Sequence, residues 1–279
     1  MLQRFYAHKP SPYNLANRPE PEYERYARLV ASQAGNKGRI LDFGCGTIRS
    51  LHTLSAQGFS EVVGCDYFPE REDFSAVAAS AQPNVQLVHL SGSTLPFPDA
   101  HFDCVASLCV LEHVIDIEAA LAELHRVLKP GGSFVIVGPN WSGLNNPIRA
   151  LYVQLKTGKR YWHFENIADS LLGIVRVFAW YAQVQLADRP EFLLIYPRMR
   201  DGEIWFEASD DDCVHLSHPL SYKRWFLQRN YAIRKYNRGE GNSRFARLFN
   251  SLLPSLSTTN VIVAVKRGAA RDHFGGSKA

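Results

Sequence analysis

Two acidic residues and a pair of glycines, each at the end of an apolar run, are the first candidates for chemistry. Ile40-Leu41-Asp42-Phe43-Gly44-Cys45-Gly46-Thr47 closes one run with a glycine turn, which lets the backbone approach a ligand at the start of a helix. The next apolar run ends in Asp66, twenty residues after Gly46, where a carboxylate can accept hydrogen bonds from both hydroxyls of a ribose. Together they indicate an adenosine-containing cofactor. A dinucleotide site wants a third glycine at position 49, for close packing beside a pyrophosphate, and this chain has Arg49. NAD and FAD are thereby disfavoured.

Positioning these residues requires a sheet with helices between its strands. From Arg39 to Pro139 short β-rich runs alternate with helical patterns, the signature of a parallel sheet covered by helices. The spacing predicts strands at 38–43, 61–66, 84–89, 102–108 and 132–138, and helices over Ile48–Gln57, Glu70–Ser80 and Ile117–Leu128. Pro130-Gly131-Gly132 is expected to stop the last of these. The stretch before Pro21, rich in Pro and Asn, is expected to drape over the domain, ahead of a helix over Glu22–Gln33. Past Pro139 the rhythm breaks, and four of the five tryptophans fall between Trp141 and Asp212. A helix over Leu220–Arg229 and strands near 231–236 and 260–266 then read as the far end of the same sheet.

Composition narrows the class further. With 279 residues, 46% hydrophobic and 21% charged, the chain has the make-up of a folded, soluble protein. Its net charge of +4 is too dispersed to mark a nucleic-acid partner. Five cysteines without a CxxC pair argue against a disulfide framework or structural zinc, and fit reduced thiols in a cytoplasm. The first residues lack the apolar run of a signal peptide, and the longest apolar stretch, Leu171 to Ala187, is interrupted by Arg176 and short for a span.

Five motifs then follow in order: Asp42-x-Gly44-Cys45-Gly46, Asp66, Leu95-Pro96-Phe97-Pro98-Asp99 with Phe102-Asp103, Leu111-Glu112-His113-Val114, and Leu128-Lys129-Pro130-Gly131-Gly132. Over residues 36–140 the chain resembles the class I S-adenosylmethionine-dependent methyltransferases, in the branch that includes ubiquinone and menaquinone biosynthetic enzymes. The resemblance implies an α/β fold, a doubly wound, mainly parallel seven-stranded sheet of Rossmann-like type, and S-adenosyl-L-methionine as cofactor. It implies that Gly44 and Gly46 line the methionine moiety, with Asp42 and Cys45 also in the cofactor site, that Asp66 holds the ribose and Tyr67 packs on the adenine, and that Leu108 presents backbone to the amino acid end. Relatives often carry Asp four residues before the Leu-Pro-Phe leucine, and here that position is Ser91. A hydroxyl can still accept, so the Ser91-Gly92-Ser93 loop is kept as the adenine site, directly or through water.

A base is the less legible part. His113 opens the helix after the fourth strand, beside the methyl donor the resemblance implies, where an imidazole could take a proton from an acceptor hydroxyl. A capping or packing histidine is the alternative. His163, Glu165, His215 and His218 are further candidates. The Asp210-Asp211-Asp212 run reads as an acidic loop facing solvent, without ordered metal-ligand spacing, so no metal is expected. Cys45 gets no catalytic role, since a thiolate needs an electropositive partner.

The expected organisation is an N-terminal helical cap (1–35), a cofactor core (36–140), an inserted substrate-recognition lid after the fifth strand (141–212), the C-terminal part of the sheet (213–268) and a flexible tail (269–279). In the insertion Arg149, Lys156, Lys159, Arg160 and Arg176 mix with Tyr152, Tyr161, Trp162, Phe178, Trp180 and Tyr181. That mixture suits a phosphorylated acceptor, a sugar ring on aromatic faces or a peripheral lipid contact at the inner face of a membrane. A cap over its own small core is equally open. The acidic stretch running into Val214–Leu220 loosely resembles methyltransferases encoded among bacterial surface-polysaccharide genes. The expected reaction is O-methylation of a sugar hydroxyl in a cell-envelope glycan or its lipid-linked precursor. A polyprenyl quinone and a catalytically silent cofactor- or partner-binding fold are the rivals. Nucleic acid is disfavoured, because the Asn/Asp-Pro-Pro-aromatic signature is missing after Ser107.

Overall fold

The computed structural model describes residues 20–34, 38–46, 48–67, 82–196, 199–200, 203–204, 212–241, 243–257 and 259–268. The helix expected over Glu70–Ser80 and the tail at 269–279 lie outside the described residues, as does most of the stretch before Pro21. In chain order the elements are α1 (Glu20–Ala34), β1 (Arg39–Phe43), α2 (Arg49–Ser55), β2 (Glu61–Asp66), β3 (Val85–His89), β4 (Phe102–Leu108), α3 (Ile117–Val127) and β5 (Leu128–Pro139). Two longer helices follow, α4 (Asn145–Thr157) and α5 (Ile167–Leu186), then the two-residue strands β6 (Met199–Arg200) and β7 (Glu203–Ile204). The chain continues through α6 (Pro219–Gln228), β8 (Tyr231–Tyr236), α7 (Arg244–Leu252) and β9 (Thr259–Lys266).

Seven strands form one sheet in the order β3-β2-β1-β4-β5-β9-β8. β1 through β5 run parallel, and β9 lies antiparallel to both of its neighbours. The central strands are apolar on both sides because both sides are covered, the expected pattern for a parallel sheet. Alternation along β1 shows this residue by residue. Ile40 faces Tyr26, Val30, Leu51 and Leu54 of α1 and α2, whereas Leu41 faces the opposite cluster, with Leu121 and Leu124 of α3 and Trp225 and Phe226 of α6. This is the doubly wound arrangement expected from the sequence.

One boundary differs from the periodicity. β5 begins at Leu128 rather than Gly132: Leu128 pairs with Phe102 and Ser133 with Cys104, so Lys129–Gly132 bulges out of register between them. The helix before it therefore stops at Val127, ahead of the proline. The motif around Leu95 is held by α3, since the Arg126 guanidinium donates to the carbonyls of Leu95 and Phe97 and to Asp99, and Glu123 accepts from the Leu95 amide.

Between β5 and α6 the chain builds a third apolar cluster of its own, with Ala150, Trp162, Phe164, Val184, Leu193 and Leu216 at its centre. Trp141 stacks on Trp162, ring centroids 4.4 Å apart. The segments 193–195 and 214–216 pair as short antiparallel bridges. The second of them hydrogen-bonds through the Val214 and His215 amides to the Glu112 carbonyl, and so ties this region to the carboxyl end of β4.

Candidate active site

In an open parallel sheet, ligands sit outside the carboxyl ends of the strands where the order reverses, here between β1 and β4. The loop after β1 turns on Gly44 (φ +77°) and Gly46 (φ +52°), both in the left-handed region that favours glycine. A Cβ on Gly44 would fall 2.2 Å from Val110, so this position is fixed by the loop after β4 packing against it. Gly46 differs: among the described residues nothing lies within 4 Å of where its Cβ would be. That open space beside the loop is the volume a ligand can take.

Asp66 closes the cradle from β2. Its Oδ2 accepts from the Gly46 amide at 2.9 Å and its Oδ1 from the Tyr67 amide at 2.7 Å. Each oxygen keeps further acceptor capacity for a hydroxyl. Burial pushes its carboxyl up, and the two amides, His113 and His89 pull it down. Asp42, by contrast, is fully engaged within the fold, accepting from Tyr26 Oη and Ser50 Oγ at 2.6 Å each. Burial raises its carboxyl to about 6, against those two hydrogen bonds. It ties α1 and α2 to the loop.

Tyr67 reaches across the sheet end, its hydroxyl donating to the Gly92 carbonyl at 2.6 Å. This brings Tyr67 and the exposed Ser91, Gly92 and Ser93 to one rim of the cradle. At the end of β4, Ser107 is buried and its Oγ has no hydrogen-bond partner among the described residues. Leu108 follows it, half-buried. An unpaired buried hydroxyl is an unmet need that a further polar group can satisfy.

His113 ends a 3₁₀ turn over Leu111–His113 directly after β4. Its Nδ1 lies 3.4 Å from Asp212 Oδ1, and its Nε2 lies 3.9 Å from Glu112 Oε1. Asp212 is completely buried, which corrects its expected place on a solvent-facing acidic loop. Asp210 and Asp211 lie outside the described residues. A buried carboxylate needs a partner that compensates its lost hydration, and His113 stands in that place. His113 also enters the electrostatic balance of Asp66, drawing its carboxyl down.

With that geometry in hand, comparison with known proteins is decisive for the core. Residues 41–136 match the family described as a methyltransferase domain. This segment matches a methyltransferase domain, and its strand order fits the class I S-adenosylmethionine-dependent fold. A demethylmenaquinone methyltransferase of Clavibacter sepedonicus is 38% identical over 109 residues, covering 39% of this chain and 43% of that protein. The chain thus spans less than half the length of this relative. Among solved structures, a Listeria monocytogenes protein assigned to the S-adenosylmethionine-dependent methyltransferases shares the fold with a TM-score of 0.56, at 15% identity over 89% of this chain and 100% of that one. A Methanosarcina mazei S-adenosylmethionine-dependent methyltransferase does so with a TM-score of 0.51, at 19% identity over 86% and 98%.

Around the methyltransferase domain the remaining base candidates are held in other roles. His163 packs edge-on against Trp162, and Glu165 is exposed. His215 Nε2 is 2.5 Å from the Val114 carbonyl, an acceptor to which it donates, and burial pushes its pKa down. Cys45 is buried, and burial raises its thiol far above a nucleophilic range. No group of three or more potential metal ligands occurs among the described residues.

His218 is the helix cap of α6. Its Nδ1 accepts from the Leu220 amide at 3.1 Å, and burial, followed by the charge of Arg224, lowers its pKa to about 4. A buried histidine of this kind favours the fold fully above the ordinary histidine pKa of about 6.5, and that contribution fades as pH falls toward 4. The loss amounts to at most about 3 kcal/mol at 1.36 kcal/mol per unit. His218→Asn keeps a capping acceptor without the titration. Thermal melts should show parent and variant alike at pH 7.5 and the variant more stable at pH 5. Equal acid sensitivity of the two would assign the loss to other groups.

Proposed function

We propose that the protein transfers the methyl group of S-adenosylmethionine to a hydroxyl oxygen of a small-molecule acceptor, with a sugar hydroxyl of a cell-envelope glycan or its lipid-linked precursor as the favoured class. The observation that carries this reading is that His113, in the turn after β4 and 3.4 Å from the buried Asp212 carboxylate, follows the strand next to β1, whose loop makes the Gly46–Asp66 hydrogen bond. When bound, the cofactor supplies a sulfonium whose methyl group is already a strong electrophile. Gly44, Cys45 and Gly46 would border its methionine portion, Asp66 its ribose, Tyr67 with Ser91, Gly92 and Ser93 its adenine, and the Leu108 backbone its amino acid end. Asp42 would position the loop through Tyr26 and Ser50 rather than touch the cofactor.

Alignment and water exclusion are then the main work of the protein, an effect of up to about 7–11 kcal/mol in well-oriented reactions. His113 would accept the hydroxyl proton as the oxygen–methyl bond forms and the sulfur–methyl bond breaks. Asp212, a positioning residue, would hold the ring through Nδ1 and stabilise the imidazolium.

An open groove of about 430 Å³ between α5 and the 191–195 segment is the candidate acceptor site. Its lining combines the aromatic Trp180 and Phe192 with the polar Gln183 and Glu191, a mixture that suits a sugar. Phe192 also packs edge-on against His215, on the segment that reaches Glu112. The second reading, a polyprenyl quinone, rests on the likeness to a demethylmenaquinone methyltransferase, which spans 39% of this chain. The matched domain ends at residue 136, before the groove begins.

Calorimetry with S-adenosylhomocysteine tests the cofactor half. Asp66→Ala should lose about 2–4 kcal/mol of affinity, the scale of charge-assisted hydrogen bonds left unmade. Absence of binding by the parent would overturn the reading, and unchanged affinity in the variant would remove Asp66 from it. For the acceptor, methyl transfer from labelled cofactor into a cell-envelope extract should place label in the glycan fraction. Label in the quinone fraction would move the acceptor to the second reading.

A further inference from the structure

The helices α4 and α5 are built inside out. Each buries a partly polar stripe: Asn146 and Gln154 of α4 are buried, as are Ser170, Gly173 and Val177 of α5, and Ser170 Oγ donates to Gln154 Oε1 at 2.7 Å. A Cβ on Gly173 would sit 2.4 Å from the Phe164 ring, so α5 is pressed closely onto the third cluster on that side. Their opposite faces carry matching apolar ladders at the same i, i+4, i+7 spacing. Ile148, Tyr152 and Leu155 form one, Leu171, Val175 and Phe178 the other, each residue 51–67% exposed. A soluble surface helix has the reverse polarity.

Charge says what covers this face. Exposed Arg149, Lys156 and Lys159 flank the α4 ladder, and Arg176 borders the α5 ladder. Between residues 145 and 187 five basic residues stand against two acidic ones, Glu165 and Asp169. A second copy docked about a twofold axis would set these like charges against one another. An anionic headgroup layer would satisfy them. Lys156 lies over the Tyr152 ring, 5.6 Å from its centroid, a pairing suited to the depth where a bilayer turns from apolar to wet. By length and composition α5 could cross a bilayer. Its Ser170–Gly173 side is packed against protein, however, which leaves only one face for lipid and lays the helix in the membrane plane.

We propose that the α4–α5 face docks on an anionic bilayer, with the two apolar ladders in the acyl boundary and Arg149, Lys156 and Lys159 against lipid phosphates. This goes beyond methyl transfer and does not depend on it, because vesicles without acceptor or cofactor suffice as the probe. In flotation assays the full chain should rise with vesicles of phosphatidylcholine and phosphatidylglycerol, and far less with phosphatidylcholine alone. Lys156→Gln with Lys159→Gln should weaken binding about 25-fold, roughly fivefold per charge. Val175→Glu with Phe178→Glu should abolish it while leaving S-adenosylhomocysteine affinity unchanged, since both side chains are exposed. The proposal is overturned if the parent stays at the bottom with anionic vesicles, or if the variants float as the parent does. It is equally overturned if the parent is a dimer that Val175→Glu dissociates and that does not float, which would give the face to a second copy.

Discussion

Replacing His113 by alanine should cut methyl transfer about 100- to 10,000-fold while leaving S-adenosylhomocysteine affinity nearly unchanged. The reason is positional. His113 follows β4 closely, and its Nδ1 lies 3.4 Å from a buried carboxylate, a charge that favours the imidazolium formed on proton transfer. The residual rate of the alanine variant should rise with pH, as acceptor hydroxyls ionise unaided. Asp212→Asn separates base from scaffold. Without the negative neighbour the imidazole holds its proton less tightly, so the limb of the pH–rate profile set by His113 should move to lower pH, with kcat reduced and cofactor affinity kept. A packing role predicts something else: activity and melting temperature falling together, with the profile unmoved. Normal turnover and normal stability in His113→Ala would remove the residue from the chemistry altogether.

The cofactor half of this site was legible because it is local. Gly44, Gly46 and Asp66 lie at strand ends, where strand periodicity and turn chemistry already fix their place. The strands were equally legible, since burial on both faces leaves continuous apolar runs in β1, β2 and β4. Asp212 was not. The rule that charge runs face water depends on neighbours in sequence, whereas Asp212 is buried beside His113, a residue about a hundred positions earlier in the chain. Helices α4 and α5 escaped for the opposite reason. With Leu171, Val175 and Phe178 outside and Val177 and Val184 inside, apolar residues fall on both faces of α5, and the 3.6-residue period is blurred. Both of these places are ones that the proposals above make functional, as expected where tertiary contacts or an external partner override local consistency.

The largest effect on cofactor binding should come from Gly46 and not from Gly44. Resemblance alone treats the two as equals, because both line the same turn. Their surroundings separate them. A side chain at Gly44 would drive into Val110, with the Cβ itself 2.2 Å from a methyl carbon, so Gly44→Val should damage the packing of the β1 and β4 loops and lower stability along with binding. At Gly46 the Cβ meets nothing within 4 Å among the described residues, and the cost there is that of holding a β-branched residue at φ +52°, roughly 1–3 kcal/mol. The same side chain would occupy the volume proposed for the methionine portion and press on the amide that Asp66 accepts from. Gly46→Val should therefore keep a cooperative melt and lose S-adenosylhomocysteine binding by more than about 1,000-fold, beyond the loss in Asp66→Ala. Gly46→Ala should fall between the parent and the valine variant, since one methyl group takes part of the space. A valine variant that binds as tightly as the parent would place the cofactor elsewhere along the sheet edge. The same failure would withdraw His113 as base, because its assignment depends on a methyl group presented beside this loop.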